Sequence, residues 1–466
     1  MTANWFAVVA IFGWPLVAFF FYRTRTFTEA TAATLLGGLL LLPSNFAVKL
    51  KMIPAFDKVS IPALCVLIGC AFLAPRDKRP RVGFGVIGLL ATIYVVGPIF
   101  SSINNGDTLV FGDRILPGVG YYDGISAMII QLIGLVPFFV GRRYFQKSID
   151  TETILRVLVV AGLLYSLPML FEVRMSPQLS NWIYGYFPSG FNSEARYGGF
   201  RPVVFMVNGL ATAFFAVTAF LAATAFWRVN KRIHSFPAGP LPAFLGIIIV
   251  LCKSAGALIY AAVFGIVVRW MAPKTQLRFS VLLVCVVLIY PILRLTDNFP
   301  DDLLLNTASA FSQERAISLQ TRFDQEKQLI AYASQRLLLG WGRYGRARIY
   351  DENGKDITIT DGQWIITLAQ FGLVGFIAQF GLLAMPVFRA TFAAQYAEST
   401  RDKILLSALA VIVALSLIEQ LPNSSINSWL WFISGALLGR AERLNSTTRF
   451  KRSVLFKPIE SLPSKP

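Results

Sequence analysis

The 466-residue chain is 55% hydrophobic and 15% charged, with a formal net charge of +18 at pH 7 and a mean hydropathy of +0.59. That composition reads as a multi-pass membrane protein, because apolar runs near the roughly 20 helical residues that cross ~30 Å of hydrocarbon recur along it, and no soluble domain stands out between them. Cys65, Cys70, Cys252 and Cys285 have no metal-like spacing and read as small core residues rather than disulfide or zinc ligands.

Spans are expected near 5–22, 30–48, 60–75, 83–101, 123–141, 154–171, 202–227, 241–252, 254–272, 279–296, 362–388, 404–421 and 426–439. The fold class is all-α, a multi-pass transmembrane helical bundle of about 12–13 spans. The first run has no basic stretch before it and is followed by Arg23 and Arg25, as for a retained span. The chain then divides into N-terminal spans (1–171), an extracytoplasmic aromatic and arginine segment (172–201), central spans (202–296), a long periplasmic loop (297–360), C-terminal spans (361–440) and a basic cytoplasmic tail (441–466).

Clustered cations set the orientation. Arg76, Lys78, Arg79 and Arg81, then Arg142 with Arg143 and Lys147, Arg228 with Lys231 and Arg232, Lys274 with Arg278, Arg401 with Lys403, and the tail from Arg440 to Lys457 all fall on one face when spans alternate. By the positive-inside rule that face is cytoplasmic. These groups sit in short loops without interleaved aromatics, so topology accounts for them and nucleic acid does not. Residues 241–272 are long enough for one helix, yet basic residues flank both ends, so a hairpin turning at Cys252-Lys253-Ser254-Ala255-Gly256 satisfies the rule where a single span does not. Lys253 then lies at the extracytoplasmic end of two helices. The N-terminus falls outside and the C-terminus inside, and Lys49, Lys51 and Lys58 fall on the side opposite to the other clusters.

Two extracytoplasmic segments stand out. The 172–201 segment carries Trp182, Tyr184, Tyr186, Phe187 and Pro188, aromatics of the kind that form an interfacial belt, and ends in Arg196 and Arg201. Pro202 is expected in the first turn of the next helix, which places Arg201 at a helix N-terminus, where backbone N–H groups favour an anion. Arg196 and Arg201 suit a pyrophosphate clamp, since a guanidinium binds phosphate oxygens bidentately and stays charged. The plainer alternative is snorkelling, or pairing with Glu172 or Glu194. In the long loop, Ile317, Phe323, Ile330 and Leu337 recur near helical spacing between charged residues, from Gln313 until Gly340. They predict an amphipathic helix on the membrane or capping the bundle, with Arg322 either solvated or turned inward. Arg343, Arg346 and Arg348 follow among Gly340, Gly342 and Gly345, which resemble a phosphate loop loosely or form a solvated turn.

The only histidine, His234, falls on the cytoplasmic side, which excludes a histidine metal site or a Ser-His-Asp triad on the other. Carboxylates are left as bases: Asp361 is best placed, with Glu194, Glu172 and Glu419 behind it. Asp361 serves equally as an N-cap for a helix beginning at Gly362.

Leu338-Leu339-Gly340-Trp341-Gly342, then Asp361-Gly362-Gln363-Trp364 leading into Ala369-Gln370-Phe371-Gly372-Leu373-Val374-Gly375, resembles the signature region of the O-antigen ligase and polymerase superfamily. Phe200-Arg201-Pro202 through Leu210, and Cys252 through Leu258, resemble two further stretches of it. The resemblance implies a glycosyltransferase without metal or other cofactor in the bacterial inner membrane, acting at its periplasmic face. Its expected partners are a glycan donor on undecaprenyl pyrophosphate, a glycan acceptor, membrane lipid and other polysaccharide-assembly proteins. Two departures favour the polymerase-like branch that makes capsule or exopolysaccharide. Family ligases show Ser-Arg-Gly where this chain has Ser254-Ala255-Gly256, with Lys253 placed to supply the charge, and a histidine where it has Asp361 or Gly362.

The expected catalytic set is Arg201, Lys253 and Arg322 against the leaving pyrophosphate, and Asp361 on the acceptor hydroxyl. Arg196, Glu194, Arg343, Arg346 and Trp364 are the expected substrate-binding residues. The competing readings are a glycan or lipid transporter (a flippase), which would place charges or helix breaks near the bilayer midplane, and a non-catalytic partner in polysaccharide export. The topology is checked by cysteine labelling in intact cells with a membrane-impermeant reagent: Asn353→Cys should label and Ser453→Cys should not, and the reverse would invert the orientation.

Overall fold

The computed structural model describes residues 3–49, 54–75, 83, 85–196, 198–233, 236–311, 313–358 and 361–455. Lys51, the basic run at 76–81, Tyr197, His234 and Thr360 lie outside the described residues, as do the side chains of Glu314, Arg315 and of the tail from 447 onward.

The described residues form α1 (Trp5–Thr24), α2 (Phe27–Leu41), α3 (Ser60–Leu73), α4 (Gly85–Ile103), α5 (Tyr121–Tyr144), α6 (Ser148–Met175), α7 (Leu179–Tyr184) and α8 (Gly209–Arg228). The second half adds α9 (Pro240–Leu251), α10 (Ala255–Trp270), α11 (Pro273–Leu295), α12 (Asp301–Phe311), α13 (Gln313–Ser334), α14 (Gln363–Ala393), α15 (Thr400–Ile418) and α16 (Ser428–Leu455). Among the described residues, strands are confined to three antiparallel pairs, 47–48 with 56–57, 109–111 with 114–116, and 195–196 with 199–200. The protein is an all-α multi-pass helical bundle. By length and composition, α1, α4, α5, α6, α8, α11 and α14 are apolar enough to cross a membrane, and α2, α3, α9 and α10 are shorter apolar helices.

The bundle is built around α15. Every residue from Ile404 to Leu417 is buried, as expected for a helix apolar on all sides. At the periphery, α1 buries only Ala7, Ile11, Trp14 and Ala18. Each expected span has a helix, with edges moved by local chemistry. α2 stops at Leu41, shortly before Pro43, rather than at 48. The predicted amphipathic helix ends at Ser334, buries Phe323 and Ile330 and leaves Ile317 exposed, and α12, which the spacing did not predict, precedes it.

Ion pairs bring Arg142, Lys231, Arg401 and Arg440, one from each of four basic clusters, to one end of the bundle. Glu152 at the start of α6 pairs with both Lys231 and Arg401, Asp402 pairs with Arg440, and Arg142 with Glu442 at 2.8 Å. At the opposite end, Lys58 donates to the Ser44 hydroxyl at 2.7 Å and the Phe205 carbonyl at 3.1 Å. Burial pulls its pKa down to about 7. This lysine is an internal tie, which explains why it stands apart from the other cations.

The expected hairpin is present. α9 and α10 both pack on α8, with Phe220 against Gly246 of one and Gly265 of the other, and the turn between them holds Lys253 at φ 51°. Ser254 caps α10 through the Ala257 N–H.

α14 is interrupted at Gly372, where φ is 65° and ψ is −166°. An interruption inside an apolar helix must find partners for the freed backbone groups, and the 337–342 segment supplies them. Trp341 N donates to Ala369 O at 2.8 Å and Gly342 N to Gln370 O at 2.9 Å, while Leu373 N donates to Leu337 O at 2.8 Å and Val374 N to Leu338 O at 3.3 Å. A Cβ on Gly372 would lie 2.2 Å from the Leu338 carbonyl oxygen, and one on Gly340 2.5 Å from the Gln370 carbonyl carbon. Gly340 and Gly342 therefore belong to a plug in a broken helix and not to a phosphate loop. Gly372→Ala adds left-handed strain of about 1–3 kcal/mol to that clash, so thermal unfolding in detergent should fall by several degrees or the protein should fail to accumulate. A wild-type midpoint would mean that the plug yields freely.

Candidate functional site

At the end of the bundle opposite the basic ion pairs, the chain from 201 to 208 is not helical. Val203 and Val204 N–H both donate to Glu172 Oε2 at 2.7 Å, and Phe205 N–H donates to the Tyr165 hydroxyl at 3.1 Å. Val204 sits at φ 53°. These bonds draw the backbone out of helical geometry, so α8 begins only at Gly209, capped by Asn208, whose side chain accepts from Ala211 N at 2.9 Å. Arg201 is consequently not at a helix N-terminus, contrary to the expectation from Pro202. Glu172 is a scaffold residue that also accepts from Leu179 N at 2.9 Å.

Arg201 is buried. Its Nε donates to Glu194 Oε2 at 3.0 Å and its Nη2 to the Ser193 carbonyl at 2.9 Å. Glu194 also accepts from Gly209 N at 3.2 Å and from the Ser189 hydroxyl at 3.2 Å. Burial lowers the Arg201 pKa, the Glu194 charge opposes that, and the charges of Arg196 and Arg322 reinforce it. The pairing alternative for Arg201 is therefore realised, with Glu194 as partner. The Lys253 ammonium packs against Gly199 on the adjacent hairpin, so close that a Cβ there would lie 2.3 Å from Nζ.

α13 is anchored on α11: Arg294 Nε lies 3.2 Å from Glu326 Oε2, and the Tyr290 hydroxyl is 3.0 Å from the same oxygen. One turn earlier on that helix, Arg322 reaches Asp361 Oδ2 at 3.3 Å, with both side chains about four-tenths exposed (40% and 44%). The helix cap is Gly362 rather than Asp361, and the Gln363 N–H is taken by the Gln420 and Asn423 carbonyls at 3.0 and 3.2 Å. That removes the capping alternative and leaves Asp361 facing two cavities of ≈ 200 Å³ each. One lies against Arg322, Glu326 and Phe323. The other has an apolar floor, including Leu39, Phe215 and Ile433, and a polar rim of Asn208, Asp361, Glu419, Asn423 and Asn427.

Glu419, at the C-terminal cap of α15, is 6% exposed. The Tyr260 hydroxyl and the Asn423 side chain both hydrogen-bond to its carboxyl. Its Oε1 accepts from Asn423 Nδ2 at 2.7 Å. The rim residues Asn208, Asn423 and Asn427 were not singled out in the sequence. The available signal was the polar run from Glu419 to Ser428 between two apolar helices.

The other expected site residues are engaged with different partners. Arg346 is buried and holds the 107–117 loop, donating to Asp107 Oδ1 at 3.0 Å, the Asp107 carbonyl at 2.8 Å and the Pro117 carbonyl at 3.2 Å. Trp364 is fully buried, edge-on to Tyr290 at 5.2 Å. Arg343 lines a separate cavity of ≈ 100 Å³ with Arg348 and Gln370. Arg196 is exposed and donates to the Ala195 carbonyl at 2.7 Å.

A multi-pass helical membrane protein with a polar site at one end of its bundle is thus defined. Residues 240–380 match the family model described as O-Antigen ligase, which supports the O-antigen ligase/polymerase superfamily read from the motifs. The match takes in Lys253, Arg322 and Asp361, whereas Arg201 and Glu419 lie outside it. No curated protein matches the chain.

Removing one partner of a buried pair leaves an uncompensated charge, at a cost of about 3–5 kcal/mol. Glu194→Ala should therefore destabilise the protein by that order in chemical unfolding, and Glu194→Ala with Arg201→Ala by less than the sum of the two single variants. Additive losses would show that the pair is not coupled.

Proposed function

We propose that the protein is a glycosyltransferase that moves glycan from an undecaprenyl pyrophosphate carrier to a glycan acceptor at the periplasmic face of the inner membrane, as a polymerase of capsule or exopolysaccharide type. The observation that carries this reading is the grouping of Arg201, the Lys253 turn, Arg322 and Asp361 at the bundle end away from the basic ion pairs. By the positive-inside rule that end faces outward. The apolar floor and polar rim of the adjoining cavity suit a lipid-linked sugar better than a free one.

Transfer builds negative charge on the departing pyrophosphate, and preorganised cations beside it lower the barrier. Arg201 is held by Glu194 and Ser193 through Nε and Nη2, which fixes the guanidinium plane. Lys253 and Arg322 add charge from a helix hairpin and from the loop. Asp361, beside Arg322, orients or deprotonates the acceptor hydroxyl. Holding two bulky lipid-linked chains in register supplies a large share of the rate.

A transporter is the second class, and the break in α14 is the kind of feature one would show. Its freed backbone groups are bonded to the loop instead of lining a passage, so the transferase reading is favoured.

Purified protein given the lipid-linked glycan that accumulates in cells lacking it should form polymer in detergent, where no compartment exists to transport into. Arg201→Ala should abolish product, Arg201→Lys should restore little, because an ammonium cannot reproduce bidentate contact, and Lys253→Ala should be severely impaired. Wild-type chain length from Arg201→Ala would sink the clamp.

A further inference from the structure

Two carboxylates face the amphiphilic cavity, and their surroundings differ. Asp361 is 44% exposed and tied to Arg322 at 3.3 Å, so its carboxylate is already engaged by a cation. Glu419 is buried at the rim between three elements. Asn423 donates to one oxygen at 2.7 Å, and the Tyr260 hydroxyl reaches the carboxyl from α10. The ionisable groups that face it are Tyr260 from α10, Arg322 from α13 and Asp361 at the start of α14, across the cavity.

We propose that Glu419 is the group that takes the proton from the acceptor hydroxyl, with Asp361 left to orient that hydroxyl and Arg322. The inference rests on the transferase reading and assigns its proton step. The acceptor oxygen forms a bond to the anomeric carbon of the donor sugar. The bond from that carbon to the pyrophosphate oxygen breaks, and the lipid pyrophosphate leaves with the electron pair. The hydroxyl proton passes to the Glu419 carboxylate, and from there to water at the cavity mouth. Asn423 and Tyr260 hold the carboxylate, so the acceptor meets a fixed oxygen.

The sign follows from the role: the ionised carboxylate is the active form, so kcat/KM rises with pH as Glu419 loses its proton and levels above that point.

The test uses full-length protein in detergent with the lipid-linked glycan that accumulates in cells lacking it. Wild type should show the acidic limb. Glu419→Gln keeps size and most hydrogen bonds and should lose about 100-fold or more in kcat, with the limb abolished. Glu419→Asp should recover part of the rate. Asp361→Asn should lower activity yet keep the limb. An infrared titration without substrate should show a carboxyl band that disappears along the same limb in wild type and is absent in Glu419→Gln. A full rate from Glu419→Gln, a limb removed by Asp361→Asn instead, or no band titrating along the limb would each overturn the assignment. A wild-type protein that shows the band but makes no polymer would overturn the transferase reading itself, and with it the proton step.

Discussion

Backbone groups inside hydrocarbon have no water to fall back on, and that constraint organises the functional end of this protein. Each place where a helix is interrupted or delayed has a specific partner for the freed groups. The break at Gly372 is filled by the 337–342 segment through four main-chain hydrogen bonds. The late start of α8 is possible because the Glu172 carboxylate accepts from Val203 and Val204. The first N–H of α14 is taken by the carbonyls of Gln420 and Asn423. The irregular segments that carry Arg201 and Asp361 are therefore held by scaffold bonds to the backbone around them.

The sequence showed the bundle clearly, because apolar runs and basic flanks are local signals. The hairpin at 252–256 was legible for the same reason: charge at both ends of a long apolar stretch excludes a single span. What stayed hidden depends on contacts far apart in the chain. Val203 to Val207 is apolar and reads as the start of a span, yet its geometry is dictated by Glu172, about thirty residues upstream. Arg346 lies among glycines and looks available for a ligand, and its role becomes visible only when the 107–117 loop is placed against it. Glu419 resembles any acidic residue at a helix end, since its burial requires α10 and the turn at 423 to close around it.

Electrostatically the site is closer to balance than a chain of net charge +18 suggests. Arg201 is matched by Glu194 and Arg322 by Asp361. The basic excess lies mainly at the other end, where Glu152 and Asp402 bind part of it. A nearly neutral site does not attract anions strongly over long range. What such a site offers a ligand is the fixed direction of its donors rather than a strong field.

The hairpin of α9 and α10 has a geometric consequence. Helices of 12 and 16 residues rise about 18 and 24 Å at 1.5 Å per residue, less than the ~30 Å hydrocarbon thickness, whereas the 28 residues of α6 rise about 42 Å. The Lys253 turn thus stops short of the level that the longer helices reach, and the 195–200 hairpin meets it there, with Gly199 against the lysine side chain. The length of two short helices therefore sets the depth at which an irregular segment and a cation come together.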